Sequence, residues 1–127
     1  MFSHVTIGSK DPDKAAAFYD AVLKTLGIEP FFKAPGLASY GTATGPKVLI
    51  LKPFDGGPHA PGNGGHVAFL APNRAAVDAF HAKATEMGGS DEGAPGLRAH
   101  YHPNYYGAYV RDPEGNKLQA VCHSKKG

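Results

Sequence analysis

The sequence predicts an α+β fold built from a duplicated unit, and three observations predict it. His4-Val5-Thr6-Ile7 recurs as His66-Val67-Ala68-Phe69, an offset of 62 from position 4 to position 66. An apolar stripe at helical spacing follows each copy, and the offset that superposes the strands also puts Phe18 on Phe80, Ala17 on Ala79, Asp11 on Asn73 and Gly27 on Gly89. Short alternating segments joined by Gly/Pro turns then close each half.

The first strand alternates, with Val5 and Ile7 on one side and His4 and Thr6 on the other. Asp11 is placed to cap the first helix, with Pro12 in the first helical position, where its missing N–H costs nothing. Ala15, Phe18, Tyr19, Val22 and Leu26 form the stripe and Gly27 ends it. Residues 38–43 and 47–52 read as a hairpin through Thr44-Gly45-Pro46. Residues 53–65, PFDGGPHAPGNGG, are too rich in Pro and Gly for a regular element and divide the chain into modules 1–53 and 65–123 of one domain. In the second module Val67 and Phe69 face one side of the strand. Asn73 caps the helix, Val77, Phe80, Ala84 and Met87 form its stripe, and Gly88-Gly89 stop it. Residues 107–111 and 117–123 read as a second hairpin through Asp112-Pro113-Glu114-Gly115-Asn116, with Leu118, Ala120 and Cys122 on one face of the last strand and Gln119, Val121 and His123 on the other. Each one-sided helix covers the outer face of a half-sheet, so the inner faces meet in a cleft.

Composition narrows the function. Hydrophobic residues make up 42% and charged residues 19% of 127, which excludes a disordered chain. The 13 Lys and Arg are scattered, so no basic stripe points to nucleic acid. No apolar run spans a membrane, and the start does not read as a signal peptide, which makes a cytoplasmic location the expectation. The lone Cys122 excludes an internal disulfide and is expected to be buried and inert.

HVTIGSKDPDKAAAFYDAVLKTLG, GGHVAF and YVRDPEGNKLQAVCH together resemble the vicinal oxygen chelate superfamily, which includes glyoxalase I, extradiol dioxygenases and bleomycin-resistance proteins. The resemblance covers nearly the whole chain. It implies two βαβββ modules in tandem, a curved sheet around a cleft and helices on the outer face. It also implies a small-molecule substrate chelated to a divalent transition metal (Zn, Ni, Fe or Mn), and a homodimer. Carried over position by position, the metal ligands are His4, His66 and Gln119, with a fourth position at Leu49 or Ile50. Gln119 stands where the pattern often has Glu, and the fourth position is apolar. All eleven acids read as lying outside strands, so the cleft is expected to lack a strand-borne carboxylate, although Asp55 is a loop acid that could swing in. Standard glyoxalase I chemistry needs such a base and is disfavoured.

The stretch 100–106 supplies substitutes: His100, Tyr101, His102, Tyr105 and Tyr106, among which Tyr101, His102 and Tyr106 are the leading catalytic candidates. Lys52, Tyr109 and Arg111 are the candidate substrate-binding residues, Arg111 as a partner for an anionic group and Lys52 on the condition that Leu49 and Leu51 face the helix. His59 and His81 read as solvated. Three functional classes follow: a glyoxalase- or dioxygenase-like metalloenzyme, a metal-free protein that binds a small molecule in the cleft as bleomycin-resistance proteins do, and a non-catalytic protein of this fold that works as a partner domain.

Overall fold

In the computed structural model, which describes Met1–Gly127, the two modules repeat the same order of elements. The first contains β1 (His4–Gly8), α1 (Pro12–Lys24), β2 (Pro30–Ala34), β3 (Leu37–Gly41) and β4 (Lys47–Leu51). The second contains β5 (Val67–Leu70), α2 (Arg74–Glu86), β6 (Ser90–Leu97), β7 (Tyr106–Arg111) and β8 (Lys117–Cys122). Both helix starts are capped as expected: the Lys14 N–H donates to Asp11 Oδ1 at 3.2 Å and the Ala76 N–H to Asn73 Oδ1 at 2.8 Å.

Each module is a four-stranded mixed sheet, ordered β1-β4-β3-β2 in the first and β5-β8-β7-β6 in the second. In both, the first strand pairs in parallel with the last, across the helical crossover. Parity decides what each face carries. Val48 and Ile50 of β4, Ala38 and Tyr40 of β3, Leu118 and Ala120 of β8 and Val110 of β7 are buried in the core, with Phe18, Leu23, Val77 and Phe80 from the helices. These side chains form a single cluster of 22 buried residues shared by both modules. Burying each Leu or Phe contributes about 1.5–3 kcal/mol to that shared core.

Two edge strands escape a reading based on alternation. All five residues of β2 are at least partly exposed, and β6 (SDEGAPGL) is broken by register shifts between Asp91 and Gly93 and between Gly93 and Gly96. Bulged edge strands bury no regular face, so their sequence shows no period. This corrects the expectation that every acid lies outside the strands: Asp91 and Glu92 belong to β6, where Asp91 accepts from His81 at 2.8 Å and Glu92 pairs with Arg111. Their strand is the edge farthest from β5.

The Asp112–Asn116 turn clasps the second module onto the first. Tyr19 OH donates to Asp112 Oδ2 at 2.5 Å, Ser9 Oγ to Glu114 Oε2 at 2.5 Å, and the Lys10 N–H to Glu114 Oε1 at 2.7 Å. Asn116 Nδ2 donates to Gly8 O at 2.9 Å and to Asp112 Oδ2 at 2.8 Å. The helices pack side by side beneath this clasp. Gly89 sits at the junction, where a Cβ would stand 2.5 Å from Arg111 O and 2.8 Å from Ala84 O, leaving no room for a side chain.

Candidate functional site: the groove between the modules

The ends of the two parallel strand pairs meet at a groove of about 430 Å³. Thr6, Ile7 and Gly8 of β1 form one wall. His66, Val67 and Leu118 form the other, with Asn116, Lys117 and the connector residues Pro53 and His59 around them. The volume suits a small organic ligand.

His66 is the groove's best-defined polar group. Its Nε2 lies 3.0 Å from Gln119 Oε1, and Gln119 Nε2 donates to Tyr105 OH at 2.6 Å. Gln119 is 1% exposed, and the amide fits because residue 107 is glycine: a Cβ there would meet Gln119 Nε2 at 3.1 Å. The amide oxygen faces Nε2, so this bond needs the proton on Nε2, and in that neutral tautomer Nδ1 is the acceptor. The Tyr109 ring meets His66 edge-on at 5.7 Å between centroids. Burial, with Tyr105 and Tyr101 beside it, pushes the Tyr109 hydroxyl up to about 12, so Tyr109 is a neutral phenol at physiological pH.

The sequence-derived candidates divide. His66, Gln119 and Tyr109 come together. His4, also proposed as a ligand, is exposed, contacts Ser3 Oγ at 3.0 Å and lies outside the groove lining. Tyr101 lies tilted against Tyr105 at 4.7 Å and His102 meets it edge-on at 5.4 Å, so both border the Gln119 chain, with His102 Nε2 held 2.8 Å from His123 Nδ1. Tyr106 is placed otherwise. It pairs with Cys122, on the helix-facing parity of β7, and its hydroxyl donates to Asp78 of α2 at 2.6 Å. Its role is to dock α2 on the sheet. Lys52 loses its premise, because Val48 and Ile50 face the helix rather than Leu49 and Leu51. Arg111 shares the open face with Tyr109, but its guanidinium is held by Glu92 and by Gly115 O at 2.7 Å, so it is not a free anion partner.

The sequence reading missed His59. Rather than being solvated, it is half-buried, with Nε2 3.0 Å from Asn116 Oδ1 and its ring against Gly8. Nothing in a Pro/Gly-rich connector signals a contact so far along the chain. His81 is likewise engaged, with Asp91. Asp55 closes its own turn onto the Gly57 N–H at 2.8 Å and supplies no carboxylate to the groove lining.

The register also identifies the β4 counterpart of Gln119. Thr6 pairs with Leu49 and Ala68 with Gln119, and Thr6 and Ala68 are repeat equivalents, so Leu49 is the counterpart of Gln119. Neither is acidic. No three His, Cys, Asp or Glu side chains come together as a metal-holding group, and neither His66 nor Gln119 carries a negative charge to compensate one. Within one chain, this donor set does not fit a resident divalent ion.

A second cavity of about 540 Å³ lies between the start of α1 and the 112–116 turn. Its three carboxylates are committed: Asp11 to its helix cap, Asp112 to Tyr19 and Glu114 to Ser9 and Lys10.

The fold agrees with the comparisons. The model of the Glyoxalase/Bleomycin resistance protein/Dioxygenase superfamily matches residues 1–120, and the chain belongs to that family. Among solved structures, a glyoxalase/bleomycin resistance protein from Albidiferax ferrireducens T118 is similar at 38% identity and a TM-score of 0.87, over 98% of this chain and 99% of that one. Lactoylglutathione lyase from Agrobacterium tumefaciens is similar at 26% identity and a TM-score of 0.65, over 96% and 92% of the two chains. No protein of curated function matches. No helix is long and apolar enough to cross a membrane.

Proposed function

We propose that this chain binds a small organic molecule in the groove between its modules using its own side chains, without a resident metal. One observation carries the reading: the position that would supply a strand-borne carboxylate ligand holds Gln119, whose amide is buried and committed to His66 and Tyr105. An amide so placed fixes the tautomer and orientation of the imidazole and leaves Nδ1 to accept from a ligand. Glyoxalase I-type proton transfer has no carboxylate base here, since both register-equivalent positions are Leu49 and Gln119.

The test is a thermal-shift screen of the full chain against small aromatic and oxygenated compounds, with and without a chelator. Compounds that stabilise equally in both conditions and lose their effect in His66→Ala support the reading. Binding abolished by the chelator would overturn it, as would stoichiometric Zn, Ni, Fe or Mn retained by the native protein and lost in His66→Ala and Gln119→Ala.

A second reading, a metalloenzyme completed between the two copies of a homodimer, draws on His4. That imidazole is exposed on an edge strand with Ser3 as its hydrogen-bond partner, and so is open to a neighbouring chain. Sedimentation and metal content measured together test it: a dimer that loses its metal with His4→Ala supports it, and a metal-free monomer rejects it.

A further inference from the structure

The charge of the groove specifies what it takes. Its 13 lining residues include one cation, Lys117, two histidines, and no Asp or Glu. His59 Nε2 is bonded to Asn116 and its Nδ1 is packed against Gly8, which leaves His66, Thr6 and Lys117 as the groups able to address a ligand. Lys117 Nζ makes no ion pair; it lies 5.2 Å from the Tyr109 ring centroid. On the same ring, 5.7 Å from the centroid, lies the guanidinium of Arg98, whose hydrogen bonds go only to the Gly96 and Ala94 carbonyls. Two cations without carboxylate partners therefore flank Tyr109, next to His66. The acids around it are committed elsewhere: Glu92 to Arg111, Asp112 to Tyr19 and Asn116, and Glu114 to Ser9 and Lys10. The rest of the lining is apolar or glycine: Ile7, Val67, Leu118, Pro53 and Ala60, with Gly8, Gly62 and Gly65.

An unpaired cation beside an acid-free, partly apolar hollow favours a ligand with one negative charge and an apolar body, and disfavours a cation. We infer that the groove takes a small organic anion, its carboxylate paired with Lys117 and its body laid against Pro53, Ala60 and Val67, the apolar lining residues that keep exposed surface. The inference rests on the groove being the binding site and adds the chemical class of its occupant. Lys117 is a specificity-determining residue in this assignment, because a neutral analogue gains the same apolar contacts but not the charge-assisted bond.

The experiment compares three probes of one shape, benzoate, benzamide and benzylamine, at millimolar concentration. Amide chemical shifts of Gly65, His66 and Val67 in the full chain serve as the reporter. Benzoate is expected to shift these amides saturably, more weakly as salt rises, while benzamide shifts them at about tenfold lower affinity and benzylamine leaves them unmoved. Lys117→Gln, checked for an unchanged melting temperature, should weaken benzoate about tenfold, the usual loss for a hydrogen bond to a charged group. Benzamide or benzylamine binding as well as benzoate would overturn the anion assignment while leaving the groove as a binding site. So would benzoate binding that ignores both Lys117→Gln and salt. Silence of all three probes at these amides also overturns it, and the chelator-controlled screen then reports separately on whether the groove binds anything.

Discussion

Replacing Tyr19 with Phe tests the clasp between modules. Tyr19 is 1% exposed and its ring packs edge-on against Phe18 at 5.1 Å, a contact that Phe keeps. What is lost is the 2.5 Å bond from the hydroxyl to Asp112 Oδ2. Asp112 is 4% exposed, so water cannot readily replace the donor. A hydrogen bond to a charged group contributes about 1.5–3 kcal/mol. Asp112 keeps three donors, the N–H groups of Glu114 and Asn116 at 2.9 Å and Asn116 Nδ2 at 2.8 Å, which places the loss at the lower end. We expect Tyr19→Phe to cost about 1.5–2 kcal/mol, near the bottom of the range for such bonds. At roughly 4 °C per kcal/mol for a chain of this size, the melting temperature falls by about 6–8 °C. Urea and thermal unfolding at neutral pH measure it. A loss below about 0.5 kcal/mol, the scale of an ordinary surface substitution, would refute the claim that this bond holds the modules together. So would additivity of Tyr19→Phe with Asp112→Asn, because partners in one bond must couple.

Three further outcomes follow from the same geometry. Burial, with Asp112 beside Tyr19 and the Asp20 hydrogen bond to Tyr40, raises both phenols well above the usual range, and burial holds Tyr109 at about 12 against an ordinary 10.0. A raised folded-state pKa gives stability that is complete below pH 10 and lost as pH rises toward and through the folded values, so denaturant midpoints should fall from pH 10 upward while tyrosinate absorbance lags that of the unfolded chain. Gln119→Leu removes two neutral hydrogen bonds but keeps an apolar volume, so stability should drop by only about 1 kcal/mol while nitrogen NMR of His66 shifts from one tautomer to a mixture; a single unchanged tautomer would show that Gln119 does not set it. At Gly8 a Cβ would stand 2.5 Å from His59 Nδ1, so Gly8→Ala should destabilise and His59→Ala added to it should restore part of the loss, a non-additivity read by a double-mutant cycle.

How far the sequence could be read is explained by which signals are local. The repeat offset, the caps at Asp11 and Asn73 and the parity of β1, β5 and β8 are written in neighbouring residues, and the structure reproduces them. The edge strands β2 and β6 were illegible because exposed backbone pairing demands no apolar period. The parity of β4 was undecidable because Lys47–Leu51 has apolar residues on both faces, and with it went the placement of Lys52. Tyr106 was misplaced for a related reason: an aromatic residue at the start of a strand suits a cleft and a helix-facing layer equally well. His66 and Gln119 were legible as a pair through the repeat, but their direct bond, and the Tyr105 hydroxyl that completes it, depends on Gly107 leaving room. That dependence is three-dimensional and leaves no pattern in sequence.

The turn that clasps the modules also shapes the groove, and Asn116 is where the two meet. Its Nδ2 holds Gly8 O and Asp112 Oδ2, which fixes the first strand against the turn, while its Oδ1 accepts from His59 Nε2 and holds the connector over the groove. Tyr19 holds the same modules together from the helix side without lining the groove. The two variants therefore separate global from local effects. Asn116→Ala loses three bonds, one of them to a carboxylate, and should cost about 2–3 kcal/mol once water repairs part of the loss. It should also release His59 and weaken groove ligands. Tyr19→Phe should lower stability while leaving ligand affinity nearly intact. Isothermal titration with whichever compound the screen identifies decides the matter. Equal losses of affinity in the two variants would mean that module packing as a whole, rather than the Asn116–His59 contact, sets the shape of the groove.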